Sequence, residues 1–171
     1  MRKKMVISFS QRLRNLFEKY TDHNCFACSS RNQIGLKLEI VQNDENCFSD
    51  FILSNDYTGF PNIIHGGIQA TVIDEVGFWA MYNKYKTIGF TTRMTLDYLN
   101  KLEANTKLRA IATKIERNNT LVNVEVKILN KDNAVGTIGN LNYKLVNDIL
   151  LKKYFGKKFY EEYIKIKNEF N

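Results

Sequence analysis

The sequence predicts an α+β fold, an antiparallel sheet wrapped around one long buried central helix, with extra N- and C-terminal helices. Three observations carry this. The stretch from Gly66 to about Lys84 is apolar or small on every side, with Ile68, Ala70, Val72, Ile73, Val76, Phe78, Trp79, Ala80 and Met81. A helix that is apolar nearly all round is one surrounded by protein. Segments at about 88–99, 104–117, 120–130 and 134–146 alternate apolar and polar residues with the strand period of two. Asn118-Asn119 and Asp132-Asn133 supply tight turns, so these strands form a meander whose apolar face needs a cover.

The remaining elements follow in order. Residues 8–20 predict an amphipathic helix, with Phe9, Leu13, Leu16, Phe17 and Tyr20 on one face and Ser8 with Gln11 as a capping box. Thr21 to Gln33 is polar and loop-like. Residues 34–42 and 46–54 read as two strands joined at Asn43-Asp44-Glu45, with Leu36, Leu38 and Ile40 alternating with Lys37 and Glu39. Asn55–Ile64 is a loop. The tail 148–170 reads as helical, interrupted at Gly156. The whole chain, 1–171, is read as a single domain with its core at about 25–146.

Composition narrows the function classes. The chain has 171 residues, 44% hydrophobic and 25% charged, enough for one domain with a real core. No apolar run approaches the ~20 residues of a membrane span. Met1-Arg2-Lys3-Lys4 precedes an apolar stretch, Met5-Val6-Ile7, too short for a secretion signal, so a cytoplasmic location is expected. Three cysteines in such a chain are expected to be thiols. Cys25 and Cys28 form a C-x-x-C near His23, but four zinc ligands would require Cys47 as well, and no second C-x-x-C exists. The pair is read as a tight turn before the first strand, with no metal. The formal net charge of +7 points to an anionic partner or to solubility alone.

Two histidines leave few sites for catalysis. His23 lies in a polar loop and reads as a surface or turn residue. His65 stands directly before Gly66, Gly67 and the buried helix. Free N–H groups at a helix start, aided by the dipole, hold an anion or a developing oxyanion. Asp74 and Glu75 lie inside the apolar helix, where an unpaired carboxylate costs several kcal/mol. Neighbours on a helix sit ~100° apart. Asp74, flanked by Ala70, Ile73, Gly77, Phe78 and Met81, is read as the inward one, with Arg93 or a backbone N–H as its structural partner if it has no chemical role. Asp74 also lies ~12 Å beyond Gly66 along the axis. If both act on one carbon, they come from two antiparallel helices, which requires a two-fold dimer.

These residues carry a resemblance. Gly59-Phe60-Pro61-Asn62-Ile63-Ile64-His65-Gly66-Gly67, with Asp74 nine residues after His65, resembles the signature of the PaaI-type hotdog-fold thioesterases. Cys25-Phe26-Ala27-Cys28, Ile34-Gly35-Leu36-Lys37-Leu38 and Thr91-Thr92-Arg93-Met94-Thr95-Leu96-Asp97-Tyr98-Leu99 extend it over about 25–146.

The resemblance implies hydrolysis of an acyl-CoA thioester to free acid and CoA, with CoA as part of the substrate and no cofactor. It makes the Gly66 N–H, with Gly67, the group that polarises the carbonyl. His65 shapes the helix start, and Asp74 of the partner subunit serves as general base or nucleophile. Thr91 or Thr92 places the water or the acid, or is there for β-propensity alone. Arg93, Lys114 and Arg117, with Asn118 and Asn119, are candidates for the CoA phosphates. The sequence departs from the pattern in two places. Gly59 stands where some members carry Asn or Gln, with Asn62 as a substitute if the loop bends differently. Asn100-Lys101 stands where a proline is usual. A carrier-protein thioester is an alternative substrate, and a homodimer or dimer of dimers is the expected assembly. A non-catalytic acyl-CoA sensor or adaptor is the alternative function. A dehydratase is disfavoured because no histidine follows Asp74. Neither nucleic acid nor membrane contact by the basic tail is expected.

Overall fold

The computed structural model describes residues 9–20, 22–42 and 46–170. The capping box at Ser8 and the turn at Asn43-Asp44-Glu45 lie outside them. The chain divides into two compact units, one of Asn24–Leu145 and one of the residues up to His23 with those from Val146 onward.

The larger unit holds a six-stranded antiparallel sheet in the order β1-β2-β6-β7-β8-β5. Its strands are β1 (Val41–Gln42), β2 (Cys47–Phe51), β5 (Gly89–Tyr98), β6 (Leu108–Asn118), β7 (Leu121–Leu129) and β8 (Val135–Leu145). A hairpin of β3 (Thr58–Phe60) and β4 (Ile63–Ile64) leads into the long helix α2 (Gly66–Tyr85). α2 packs against β2, β5, β6, β7 and β8, so the sheet wraps it. Val72, Ile73, Val76, Trp79, Met81 and Tyr82 are buried from the helix. They meet a sheet face built from Leu108, Ala110, Val122, Val124, Val126, Leu141 and Tyr143, also buried. Burying each large side chain stabilises by about 1.5–3 kcal/mol, which explains why α2 carries an apolar residue on nearly every face. On β7 burial alternates residue by residue, as in a sheet with one face covered.

The turns use αL asparagines. Asn119 (φ 54°) closes the β6–β7 hairpin and Asn133 (φ 61°) the β7–β8 hairpin. Two close approaches fix where α2 lies. A Cβ at Gly139 would stand 2.3 Å from Ile73 Cγ2, and one at Gly77 2.6 Å from the Tyr143 hydroxyl. Only glycine lets the helix and β8 come so near.

The first predicted strand is a correction. Of residues 34–42 only Val41 and Gln42 pair in the sheet, and the second strand is Cys47–Phe51 rather than 46–54. Lys37 is left-handed (φ 53°), and the Leu36 and Leu38 N–H groups donate to the carbonyls of Phe26 and Ala27 at 2.8 and 2.9 Å. Leu36 and Leu38 are buried, so the alternation reports burial without a ladder. The stretch 55–64 is also more ordered than a loop. It holds a single 3-10 turn at Asn55–Tyr57 and the β3–β4 hairpin, turned at Asn62 (φ 59°).

The smaller unit is helical. It comprises α1 (Phe9–Tyr20), α3 (Asp148–Phe155) and α4 (Lys157–Glu169). Gly156 (φ 84°) separates the last two, as the sequence predicts. Phe17 packs on Phe155 and Phe159, with ring centroids 5.5 and 5.2 Å apart, and stacks on His23 at 5.6 Å. Lys19 pairs with Glu162 at 3.0 Å, which ties α1 to α4. No helix among the described residues is long and apolar enough to cross a membrane.

Candidate active site

His65 caps α2. Its Nδ1 accepts from the Gly67 N–H at 2.9 Å, and its carbonyl accepts from Ile68 and Gln69. The accepting nitrogen carries no proton, so the neutral ring bears its proton on Nε2. The Gly67 N–H is therefore spent on the imidazole. Among the described residues nothing accepts from the Gly66 N–H. That leaves one donor, at the positive end of a 20-residue helix, facing outward.

This helix start opens into a cleft of about 470 Å³, lined by Gly59, Phe60, Ile63 to Gly67, Gln69 and Tyr98 to Lys101. Its walls are mostly apolar, with Lys101 as the cation. Two of its residues hold the helix start in place and have no role assigned from the sequence. Gln69 is buried and donates from Nε2 to the Ile64 carbonyl at 2.8 Å, while its Oε1 accepts from Thr137. It holds the backbone just before His65. Tyr98 donates its hydroxyl to the Gly66 carbonyl at 3.0 Å and covers the first turn. The signal for Gln69 is a polar residue within the buried stretch of α2, as at Asp74 and Glu75. For Tyr98 no local signal exists, because it lies 32 residues from Gly66. Gly59 also gains a reason. A Cβ there would stand 2.8 Å from His65 Cδ2, so the imidazole's edge leaves no room for a side chain at this position. Asn62 sits at the hairpin turn and lines no part of the cleft.

Asp74 lies elsewhere, farther along α2 and outside that cleft. It is half-buried, and Thr91 Oγ1 donates to its Oδ1 at 2.7 Å. Its partner is thus a strand hydroxyl, not Arg93, which is exposed on β5. β5 bulges between Thr91 and Arg93, and the bulged residue, Thr92, donates its hydroxyl to the Asn142 carbonyl at 3.0 Å. Of the two threonines only Thr91 meets the acid. Bulges recur beside active sites because they re-aim a side chain. The backbone carbonyl of Asp74 accepts from Tyr143 at 3.1 Å, and burial holds that phenol's pKa well above its usual value.

Glu75 is partly enclosed too, where the sequence predicts only Asp74 to face inward. It is half-buried like Asp74, accepts from the Trp79 indole N–H at 2.6 Å and faces Cys25 at 3.5 Å. Neighbouring helix positions do have different surroundings, but both are enclosed.

Lys114, Arg117, Asn118 and Asn119 lie at or near the β6–β7 hairpin, and none lines the cleft. Lys114 pairs with Glu116 at 3.1 Å. Arg117 donates from Nε to the Asn119 carbonyl at 2.8 Å and lies over the Tyr85 ring. Strand register puts Thr91, Tyr143, Val122 and Arg117 in one row across the sheet. Arg117 therefore shares the Asp74 end of the molecule, ~14 Å across the sheet from Thr91.

Residues 61–137 match the family described as the thioesterase superfamily. No curated protein sequence matches the chain. Among solved structures, a hypothetical thioesterase from Streptococcus pneumoniae TIGR4 with coenzyme A is similar, at 16% identity and TM-score 0.60, covering 64% of this chain and 86% of that one. A Streptococcus mutans UA159 protein bound to acetyl CoA shares 12% identity at TM-score 0.61, with 70% and 96% covered. Zebra fish thioesterase superfamily member 2 shares 16% at TM-score 0.64, with 81% and 99% covered. With the sheet-wrapped helix, these likenesses show that the chain has the hotdog fold of thioesterase-superfamily proteins, and the residues matched by that family's model include all of α2.

Proposed function

We propose that the protein is a PaaI-like acyl-CoA thioesterase whose sites are shared across a homodimer. The observation that carries this is the pair of half-sites on one helix. The Gly66 N–H opens on a cleft at the start of α2, and Asp74 with Thr91 stands outside that cleft, eight residues on. A second copy running antiparallel would supply its Asp74 to the cleft of the first. β5 favours such pairing, being a ten-residue edge strand with Phe90 and Tyr98 exposed. Long exposed edges are templates for another chain. The Gly66 N–H then receives the oxyanion as the thioester carbonyl becomes tetrahedral. Asp74 takes a proton from water, or attacks the carbonyl itself, and Thr91 fixes its carboxylate. The bond that breaks joins acyl carbon to CoA sulfur. Arg117 and the hairpin asparagines, at the Asp74 end of one subunit, would meet CoA phosphates of the site completed by that subunit's Asp74.

Purified protein is to be assayed for thiol release with short, medium, long and aryl-acetyl CoA thioesters, with Asp74→Asn in parallel. Turnover that falls by about two orders of magnitude or more in the variant is the expected result. Acyl-CoA binding without turnover on any substrate would overturn the acyl-CoA hydrolase reading in favour of a non-catalytic sensor or of hydrolysis of a carrier-protein thioester.

A further inference from the structure

The C-x-x-C turn and Glu75 come together although 50 residues separate Cys25 from Glu75 in sequence. The sulfurs of Cys25 and Cys28 and a carboxylate oxygen of Glu75 all lie within 4.8 Å of one another. The carboxylate is held by its other oxygen. Oε1 accepts from the Trp79 indole at 2.6 Å, which leaves Oε2 facing the sulfurs, 3.5 Å from Cys25. A hydrogen bond that fixes one oxygen and frees the other is how proteins orient a ligating carboxylate.

The turn itself brings the two sulfurs together. The Ser29 N–H donates to the Cys25 carbonyl at 3.1 Å and closes the turn, with both sulfurs within 4.8 Å of the Glu75 carboxylate. Cys28 is buried and Cys25 half-buried. Three groups that are anionic when deprotonated thus crowd one partly buried space. A cation relieves that crowding.

We infer that Cys25, Cys28 and Glu75 form a binding site for one zinc-class divalent cation, with the fourth position open to water. Two thiolates and one carboxylate suit a borderline-soft, tetrahedral ion. Binding releases the two thiol protons to solvent. The ion would fasten the 25–28 turn to α2, the helix that also carries Gly66 and Asp74. Glu75 supplies a third ligand that a dithiol alone would lack, and the experiment below separates cation binding from disulfide formation.

The test uses the full chain, reduced and stripped of metal by a chelator, titrated with Co²⁺ and then Zn²⁺. One Co²⁺ per chain is expected, with thiolate-to-metal charge-transfer absorption, the visible bands of a tetrahedral ion, and loss of both on adding Zn²⁺. Cys28→Ser should remove the charge-transfer band. Glu75→Gln should weaken binding on the order of tenfold or more. If Glu75→Gln fails to fold, Cys25→Ser at the half-buried position carries the test. No stoichiometric cobalt binding, or equal binding in wild type and variants, overturns the inference. So does a Cys25–Cys28 disulfide formed by glutathione disulfide in a protein that takes no cobalt. The readout is absorption, so it stands apart from thioester turnover.

Discussion

The two edges of the sheet are built in opposite ways. At one, β1 has two residues and β2 five, and Asp50 faces Arg109 in register. The guanidinium grips both carboxylate oxygens, at 2.6 and 2.7 Å. At the other, β5 runs for ten residues with apolar side chains in the open, and Asp74 sits behind its bulge. Asp74 has a hydroxyl donor, and among the described residues no ion pair reaches it. A carboxylate locked in a fork has its lone pairs occupied and its charge matched. One held by a single hydroxyl stays oriented and keeps lone pairs to accept a proton or attack. The edge closed by charge has a structural part, and the edge left open is where the proposed dimer would seat a second copy beside Asp74.

The sharpest way to break this comparison is Gly66→Pro. Proline is tolerated at the first helical position and removes only an N–H. His65 (ψ 137°) already has the extended conformation that a residue before proline prefers. The new ring would press on the Tyr98 hydroxyl, whose side chain is exposed and free to give. Turnover should fall by about two to three orders of magnitude with the melting temperature little changed. Mixed with Asp74→Asn under conditions that exchange subunits, the two inactive chains should recover about a quarter of wild-type activity, since half the dimers then hold one intact site. No recovery in a mixture shown to contain mixed dimers would refute sharing.

Gly139→Ala comes next. It tests how tightly α2 lies against β8 beside the open edge. The added methyl would meet Ile73 at 2.3 Å and Leu96 at 3.1 Å. A core forced apart this way loses about 1–3 kcal/mol, measurable by urea unfolding. Turnover should fall too, because Ile73 precedes Asp74. A variant as stable as wild type would mean that the helix is free to shift.

Thr91→Val keeps the strand propensity and deletes the hydroxyl that orients Asp74. A hydrogen bond to a charged group contributes about 1.5–3 kcal/mol, so kcat should fall by about tenfold or more. Thr92→Val, on the bulge, should change kcat far less, because its hydroxyl serves the Asn142 carbonyl. Equal losses in both would assign the threonines to the strand alone.

Much of this molecule is legible in sequence, and the parts that are not share a cause. The buried helix, the four long strands and the break at Gly156 each rest on a local pattern of period or backbone freedom. So does the helix start, since His65-Gly66-Gly67 announces its own geometry. The stretch 34–40 misleads because burial of Leu36 and Leu38 produces strand-like alternation while Lys37 turns the backbone out of extension. The β3–β4 hairpin is too short to show a period. Tyr98 over Gly66, and Cys25 against Glu75, are contacts between distant segments that no local pattern encodes.

The smallest effect belongs to the closed edge. Arg109, by hydrogen bond and charge, holds the Asp50 pKa below its ordinary 3.8. As pH falls, the unfolded chain takes up that proton first. The pair's contribution is thus complete above about pH 4 and is lost as pH drops through the lower folded value. Both side chains are about a third or more exposed, so the contribution is about 1 kcal/mol or less. Asp50→Asn should therefore lower stability slightly at pH 7, with the gap to wild type closing below pH 4 in urea titrations. At Asp74 the same exchange of carboxylate for amide should leave stability nearly unchanged and remove turnover. A gap at Asp50 that persists to pH 3 would mean that shape, not charge, closes that edge, and the contrast between the two acids would lose its electrostatic basis.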